Sequence, residues 1–202
     1  IYLATAITFL YYRYNHHIDQ YIIPLAIITL SDSAAALAGT QYGQRLFNSA
    51  DGTKSWEGTT MFFLTAWIIT LSLLNICGDI PPKNAVAIAV FIAYITTQIE
   101  AYAWRGIDNL FVPIVCYIVL FNYTNASIAY ILYSTAIIIA IFHTTQYYLK
   151  KHQQLTPTHI AYLIAGIVFT IANQYSGIIL YATAIGLYAI QRPPTWSYHY
   201  IG

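Results

Sequence analysis

Apolar runs of about 20 residues, the length a helix needs to cross roughly 30 Å of hydrocarbon, recur along the whole of this 202-residue chain. Lipid offers no hydrogen-bond partner to a free backbone, so such runs are confined to helices or closed barrels. The runs here are continuous, with neither the alternation nor the regular hairpin signals of barrel strands. The fold class read from them is therefore all-α, a polytopic transmembrane helical bundle. Composition agrees: 58% of residues are hydrophobic, 7% are charged, and mean hydropathy is +0.58. A net charge of +1 gives no sign of nucleic-acid binding. Cys77 and Cys116 lie in or beside apolar runs and form neither a disulfide framework nor a zinc signature.

The pattern predicts about eight spans, near 1–12 (a partial span), 21–38, 58–76, 84–102, 109–123, 127–148, 157–173 and 177–190. Turn chemistry marks the breaks, as at Asp79-Ile80-Pro81-Pro82, Arg105-Gly106, Thr124-Asn125, Thr156-Pro157 and Arg192-Pro193-Pro194. Residues 1–202 read as one integral-membrane domain without internal repeats. Ile1 already lies in an apolar run with no methionine or basic stretch before it, so native residues are expected to precede it. Most of the 20 tyrosines and four tryptophans read as packing or interfacial-belt side chains. The histidines, among them His16-His17, His143, His152 and His159, show no ligand spacing. The glycosylation matches at Asn122 and Asn125 fall in a very short loop close to the membrane and read as chance.

Basic residues set the expected orientation. Loops after the second, fourth and sixth spans, with the tail, hold Arg45, Lys54, Arg105, Lys150, Lys151 and Arg192; the other side holds Arg13 and Lys83. The positive-inside bias puts the first group in the cytoplasm. The polar loops 39–57 and 103–108 then share the cytoplasmic face.

In so apolar a chain an acid at membrane depth is a functional hypothesis. Asp32 is one, inside Ser31-Asp32-Ser33-Ala34-Ala35-Ala36-Leu37-Ala38-Gly39. The loop after it concentrates Arg45, Asp51, Lys54 and Glu57, while Glu100 and Asp108-Asn109 flank the second loop. Asp32, Glu57, Glu100 and Asp108 are therefore expected to converge, with few cations, at one membrane face. Such a set suits a divalent metal, most naturally Mg²⁺ held partly by phosphate oxygens. Lys54 and Arg45 would hold phosphates, and Gly39, Gly43, Gly52 and Gly58 would let backbone amides approach an anion. These are the parts of a nucleotide phosphoryl-transfer site, without a Walker motif or a kinase-type glycine loop.

Two boxes make a resemblance specific. The series Asp32-x-x-Ala35-x-x-x-Gly39-x-x-x-Gly43, Lys54-Ser55-x-Glu57-Gly58-Thr59, Glu100 and Asp108-Asn109-Leu110-x-Val112-Pro113 resembles the polyprenol kinase family, over roughly residues 25–120. The family includes dolichol and phytol kinases, membrane enzymes that use CTP to phosphorylate a long-chain isoprenoid alcohol. Four departures stand out: Ser31 for a common Gly, neutral Thr40-Gln41 where basic residues are frequent, Thr59 for Ser, and no Arg-Lys-x-x-His helix near the start. The resemblance implies a CTP- and Mg²⁺-dependent kinase, slightly closer to the phytol subgroup, whose partners are a nucleotide, a lipid alcohol and the surrounding membrane lipids. Asp32 and Asp108 would be metal ligands, Lys54 a phosphate clamp, and Glu57 or Glu100 the orienting group or general base. Gly39, Gly43, Arg45, Ser55, Gly58 and Asn109 would complete the nucleotide site. A lipid cytidylyltransferase that makes a CDP-lipid would share nucleotide, metal and membrane face. A transporter or structural subunit of a membrane complex is the non-enzymatic alternative.

Overall fold

The computed structural model describes residues 1–13, 17–49, 52–77, 79–103 and 106–151. Helices α1 (Tyr2–Arg13) and α2 (Ile18–Ala26) come first. Pro24 lies inside α2, where it removes one backbone donor. Just beyond it the Ile27 N–H is shared between the carbonyls of Ile23 and Pro24, and Ile27–Ser31 then widen into a π-helical turn. Helix α3 (Asp32–Tyr42) continues from it without a break. A π turn inserts a residue and so rotates everything downstream by about 100°. Asp32 is the first residue beyond the insertion.

The polar stretch that the sequence presents as a loop is a β-hairpin. Strands β1 (Leu46–Ser49) and β2 (Gly52–Ser55) pair antiparallel, with Phe47 opposite Lys54 and Asn48 opposite Thr53. Gly52 has a φ of 121°, which only glycine adopts readily. Helices α4 (Trp56–Cys77), α5 (Pro82–Tyr102), α6 (Asp108–Tyr123) and α7 (Ile128–Lys151) follow. Pro82 occupies the first turn of α5, where its missing N–H costs nothing.

Three helical stretches are long and apolar enough to cross a membrane: Asp19–Tyr42, Trp56–Cys77 and Pro82–Tyr102. Six of the expected spans coincide with helices to within a few residues, but the count of eight is not reached among the described residues. Helix α6 has 16 residues, about 24 Å of rise, and α1 has only 12. The expected spans 157–173 and 177–190 lie outside the described residues, as do Asp51, Arg105, Arg192, His16, His152 and His159.

Helix α5 is the hub. Of its apolar stretch 61% is buried, against 22% for α4. Phe91, Ile92, Ile95 and Ile99 pack with Ile23 and Ile27 of the first span, Phe62 and Ala66 of α4, and Val112, Val115 and Val119 of α6.

Helices α3 and α4 cross by close backbone approach. A Cβ added at Gly58 would lie 2.9 Å from the Ala35 carbonyl oxygen and 3.3 Å from Gly39 Cα. One added at Gly43 would lie 3.0 Å from Ser55 Cβ, and would collide with the Gly39 carbonyl. Small residues four apart allow this contact, which matters most in lipid, where apolar side chains gain little by leaving their surroundings. Ser55 fills the space between the three glycines and caps α4, its Oγ accepting the Gly58 N–H at 3.1 Å.

Gly43→Ala is expected to cost about 1–3 kcal/mol through overpacking, whereas Gly39→Ala, whose methyl would press on the Ser55 hydroxyl at 3.1 Å, should cost less. Thermal unfolding in detergent measures the order, and equal midpoints would remove this crossing from the account of stability. The hairpin and the α5–α6 turn lie at one end of the bundle, so cysteines at Asn48 and Gly106 should react with an impermeant thiol reagent from the same side of the membrane. Labelling from opposite sides would refute the packing described here.

Candidate functional site

Three carboxylates meet where three elements end or begin. Asp32 opens α3, Glu100 lies in the last turn of α5, and Asp108 is the first residue of α6. One oxygen from each lies within 4.8 Å of the other two, and all three side chains are half-buried. Asp108 is favoured at the positive N-terminal end of α6, while Glu100 opposes the negative C-terminal end of α5. Lys54, from β2, offsets the second cost. Its ammonium pairs with Glu100 Oε1 at 2.6 Å and also donates to the Glu100 carbonyl oxygen. Ser49 Oγ donates to the neighbouring Ala101 carbonyl at 3.1 Å. The hairpin thus caps α5 by meeting two of the carbonyls that a helix end leaves open.

The charges at the site do not balance. Lys54–Glu100 is the one ion pair among the described residues. Glu100 Oε2 and Asp108 Oδ1 are buried without a hydrogen-bond partner. Buried carboxylate oxygens without partners are costly. A hard divalent cation with oxygen ligands would relieve the repulsion and take up the open Asp108 lone pair, so the donor set fits Mg²⁺.

Of the acids expected to converge, Asp32, Glu100 and Asp108 do. Glu57 does not join them: its two oxygens accept the Arg45 backbone N–H, each at 3.3 Å, across the base of the hairpin. The short hairpin holds position 57 at the start of α4, away from the α5–α6 turn. Arg45 keeps its side chain exposed, and its carbonyl accepts the Trp56 N–H at 2.9 Å. Gly39, Gly43, Gly58 and Ser55 form the helix crossing. Asn109 follows Asp108 on α6, with its N–H donating to the Gly106 carbonyl at 3.2 Å. Lys54 is engaged by Glu100 with two of its three donors.

Two contributors had no role in the sequence reading. Ser49 gave no signal, because its function comes from the hairpin docking on α5. Ser31, noted only as a departure from a family pattern, is fully buried next to Asp32 with a hydroxyl that has no partner.

Comparison with known proteins bears out the resemblance read from the two boxes. The chain is similar to a phytol kinase of Synechocystis sp., 28% identical over 92 residues, which is 46% of this chain and 39% of that protein. It therefore spans about two fifths of the length of this relative. No family model matches the chain, and no solved structure matches it.

A divalent cation held by the acid group should stabilise the fold. Millimolar Mg²⁺ or Mn²⁺ is expected to raise the unfolding midpoint of the purified protein by a few degrees, as ligand binding to the native state requires. Asp32→Asn and Asp108→Asn should each abolish that rise. An equal rise in all three proteins would assign the effect to nonspecific ions.

Proposed function

We propose that this chain is the membrane core of a kinase that transfers the γ-phosphoryl group of CTP to the terminal hydroxyl of a long-chain isoprenoid alcohol, phytol- or dolichol-like, in a Mg²⁺-dependent reaction. The observation that carries the reading is the group Asp32, Glu100 and Asp108, with two buried, unpartnered carboxylate oxygens beside the Lys54 ammonium. The kinship to a phytol kinase supports the choice of substrate. CTP as donor rests on the family resemblance.

The chemistry asks little covalent work of the protein. A P–O bond forms to the alcohol oxygen, the bridge to the β-phosphate breaks, and CDP leaves. Positioning and charge neutralisation dominate such transfers. Asp32 and Asp108, with Glu100 beside them, would hold Mg²⁺, which when bound neutralises phosphate charge. Lys54 stands next to them as a point charge with one donor left for a phosphate oxygen. Its bond to Glu100 Oε1 fixes that carboxylate and leaves Oε2 to accept the proton of the alcohol. The membrane-spanning elements keep the acceptor's hydrocarbon chain in lipid while its hydroxyl reaches the end of the bundle. The excess of Arg45, Lys54, Arg105, Lys150, Lys151 and Arg192 over Arg13 and Lys83 in the sequence supports a cytoplasmic location for that end.

The test is turnover by the purified protein with labelled CTP, Mg²⁺ and a panel of prenols. CDP and a phosphorylated prenol are the expected products; pyrophosphate and a CDP-lipid would mark a cytidylyltransferase instead. Asp32→Asn should lower turnover about 100-fold or more. Lys54→Met should also slow it strongly, while Lys83→Met, at the far end of α5, removes the same unit of charge and should change little. Equal rates in the two lysine variants would remove Lys54 from the phosphate site.

A further inference from the structure

The hairpin carries an aromatic pair that neither the bundle core nor the acid group uses. Trp56 leaves 58% of its surface exposed. Its ring lies 5.3 Å from that of Phe47, tilted by 50°. Phe47 stands directly across the hairpin from Lys54, and cross-strand partners project from the same face. Ser49, two residues beyond Phe47, shares that face as well. This is the face from which Ser49 reaches Ala101 and Lys54 reaches Glu100. The aromatic pair and the ammonium thus lie side by side on one face of the hairpin, and Lys54 joins that face to the acid group through Glu100. Arg45, bonded through its backbone to Trp56, adds an exposed cation at the aromatic end.

A nucleoside triphosphate presents the complementary order: a flat base, a sugar, then a chain of anionic oxygens. We infer that the Phe47–Trp56 pair is a stacking platform for the nucleobase of the phosphoryl donor, with the phosphates running past Lys54 to Asp32, Glu100 and Asp108. This inference rests on the kinase reading and extends it to the base. Stacking accepts any base, because every base has a π face. The platform therefore contributes to affinity and leaves the choice of base to other groups. The charge pattern favours a nucleotide over a lipid headgroup: Lys54 and Arg45 lie beside the rings, and Lys54 is itself paired with Glu100 of the acid group.

The experiment uses the full chain in nanodiscs with Mg²⁺ and compares three probes: CTP, UTP and inorganic tripolyphosphate. Trp56→Leu is expected to weaken CTP and UTP about tenfold each, the order of one stacked base, and to leave tripolyphosphate within about twofold. CTP should quench tryptophan emission in the parent protein and much less in Trp56→Leu. Trp56→Tyr keeps a ring and should restore most of the affinity, which separates stacking from a folding defect. Equal loss for tripolyphosphate and CTP, or no loss for either, would overturn the platform while leaving the kinase reading intact. If the parent protein binds neither CTP nor tripolyphosphate, the kinase reading itself fails, and the platform with it. Quenching of Trp56 by brominated lipid with no response to CTP would make the pair a membrane anchor and overturn the inference.

Discussion

Gly39 and Gly43 on one helix and Gly58 on the next bring two backbones so close that a serine side chain fills the gap between them. That contact fixes where α4 starts relative to α3, and hence how the hairpin between them must lie. From a hairpin so placed, Lys54 reaches the end of α5 and Ser49 reaches the adjoining carbonyl. The acid group is then assembled from a π turn, a helix end capped by Lys54 and Ser49, and a helix start. Glycine is required at the crossing for space, not for backbone freedom: these residues have ordinary φ values, unlike Gly52 and Gly106.

The balance of charge at the site decides what it can be. A helix end in a membrane protein tolerates acids only when they are paired or serve a purpose. Lys54 pairs with one carboxylate and also caps the helix that carries it. It leaves two buried oxygens open on Glu100 and Asp108, and Asp32 adds a third negative group. A purely structural network would be fully satisfied, since a half-satisfied one weakens a core. The proposed kinase reading accounts for the open lone pairs: a divalent cation would satisfy them, and that cation would in turn bind the phosphates of the donor.

The same end of the bundle solves a geometric problem posed by the proposed substrates. An isoprenoid alcohol is soluble in lipid and a nucleotide in water, so their reacting atoms can meet only near the interface. Asp32 lies about 15 Å along the helix from Tyr42, deep enough to meet a lipid hydroxyl. The hairpin leaves the bundle between Tyr42 and Trp56, both exposed.

Length and apolarity alone determined the helices up to Lys151, because lipid allows a spanning backbone no alternative. Three of the four expected acids were also legible, since ionisable residues stand out in so apolar a chain. The hairpin was not: two strands of four residues, mostly polar and with a single glycine, owe their pairing to docking on α5 rather than to any periodicity of their own. Nor did the sequence show that Glu57, close to Lys54 in the chain, would accept the Arg45 N–H across the base of the hairpin. The π turn that aims Asp32 was equally hidden; Pro24 marks a weakened helix but does not say whether it will kink, end or widen. Sequence thus determined where apolar helices form and which acids are out of place in them. Tertiary structure decided which acids meet, which one Lys54 holds, and that Gly39, Gly43 and Gly58 pack helices together. The difference is physical: burial of an apolar run is set by the residues within it, whereas the partner of a charge is set by elements far away in the chain.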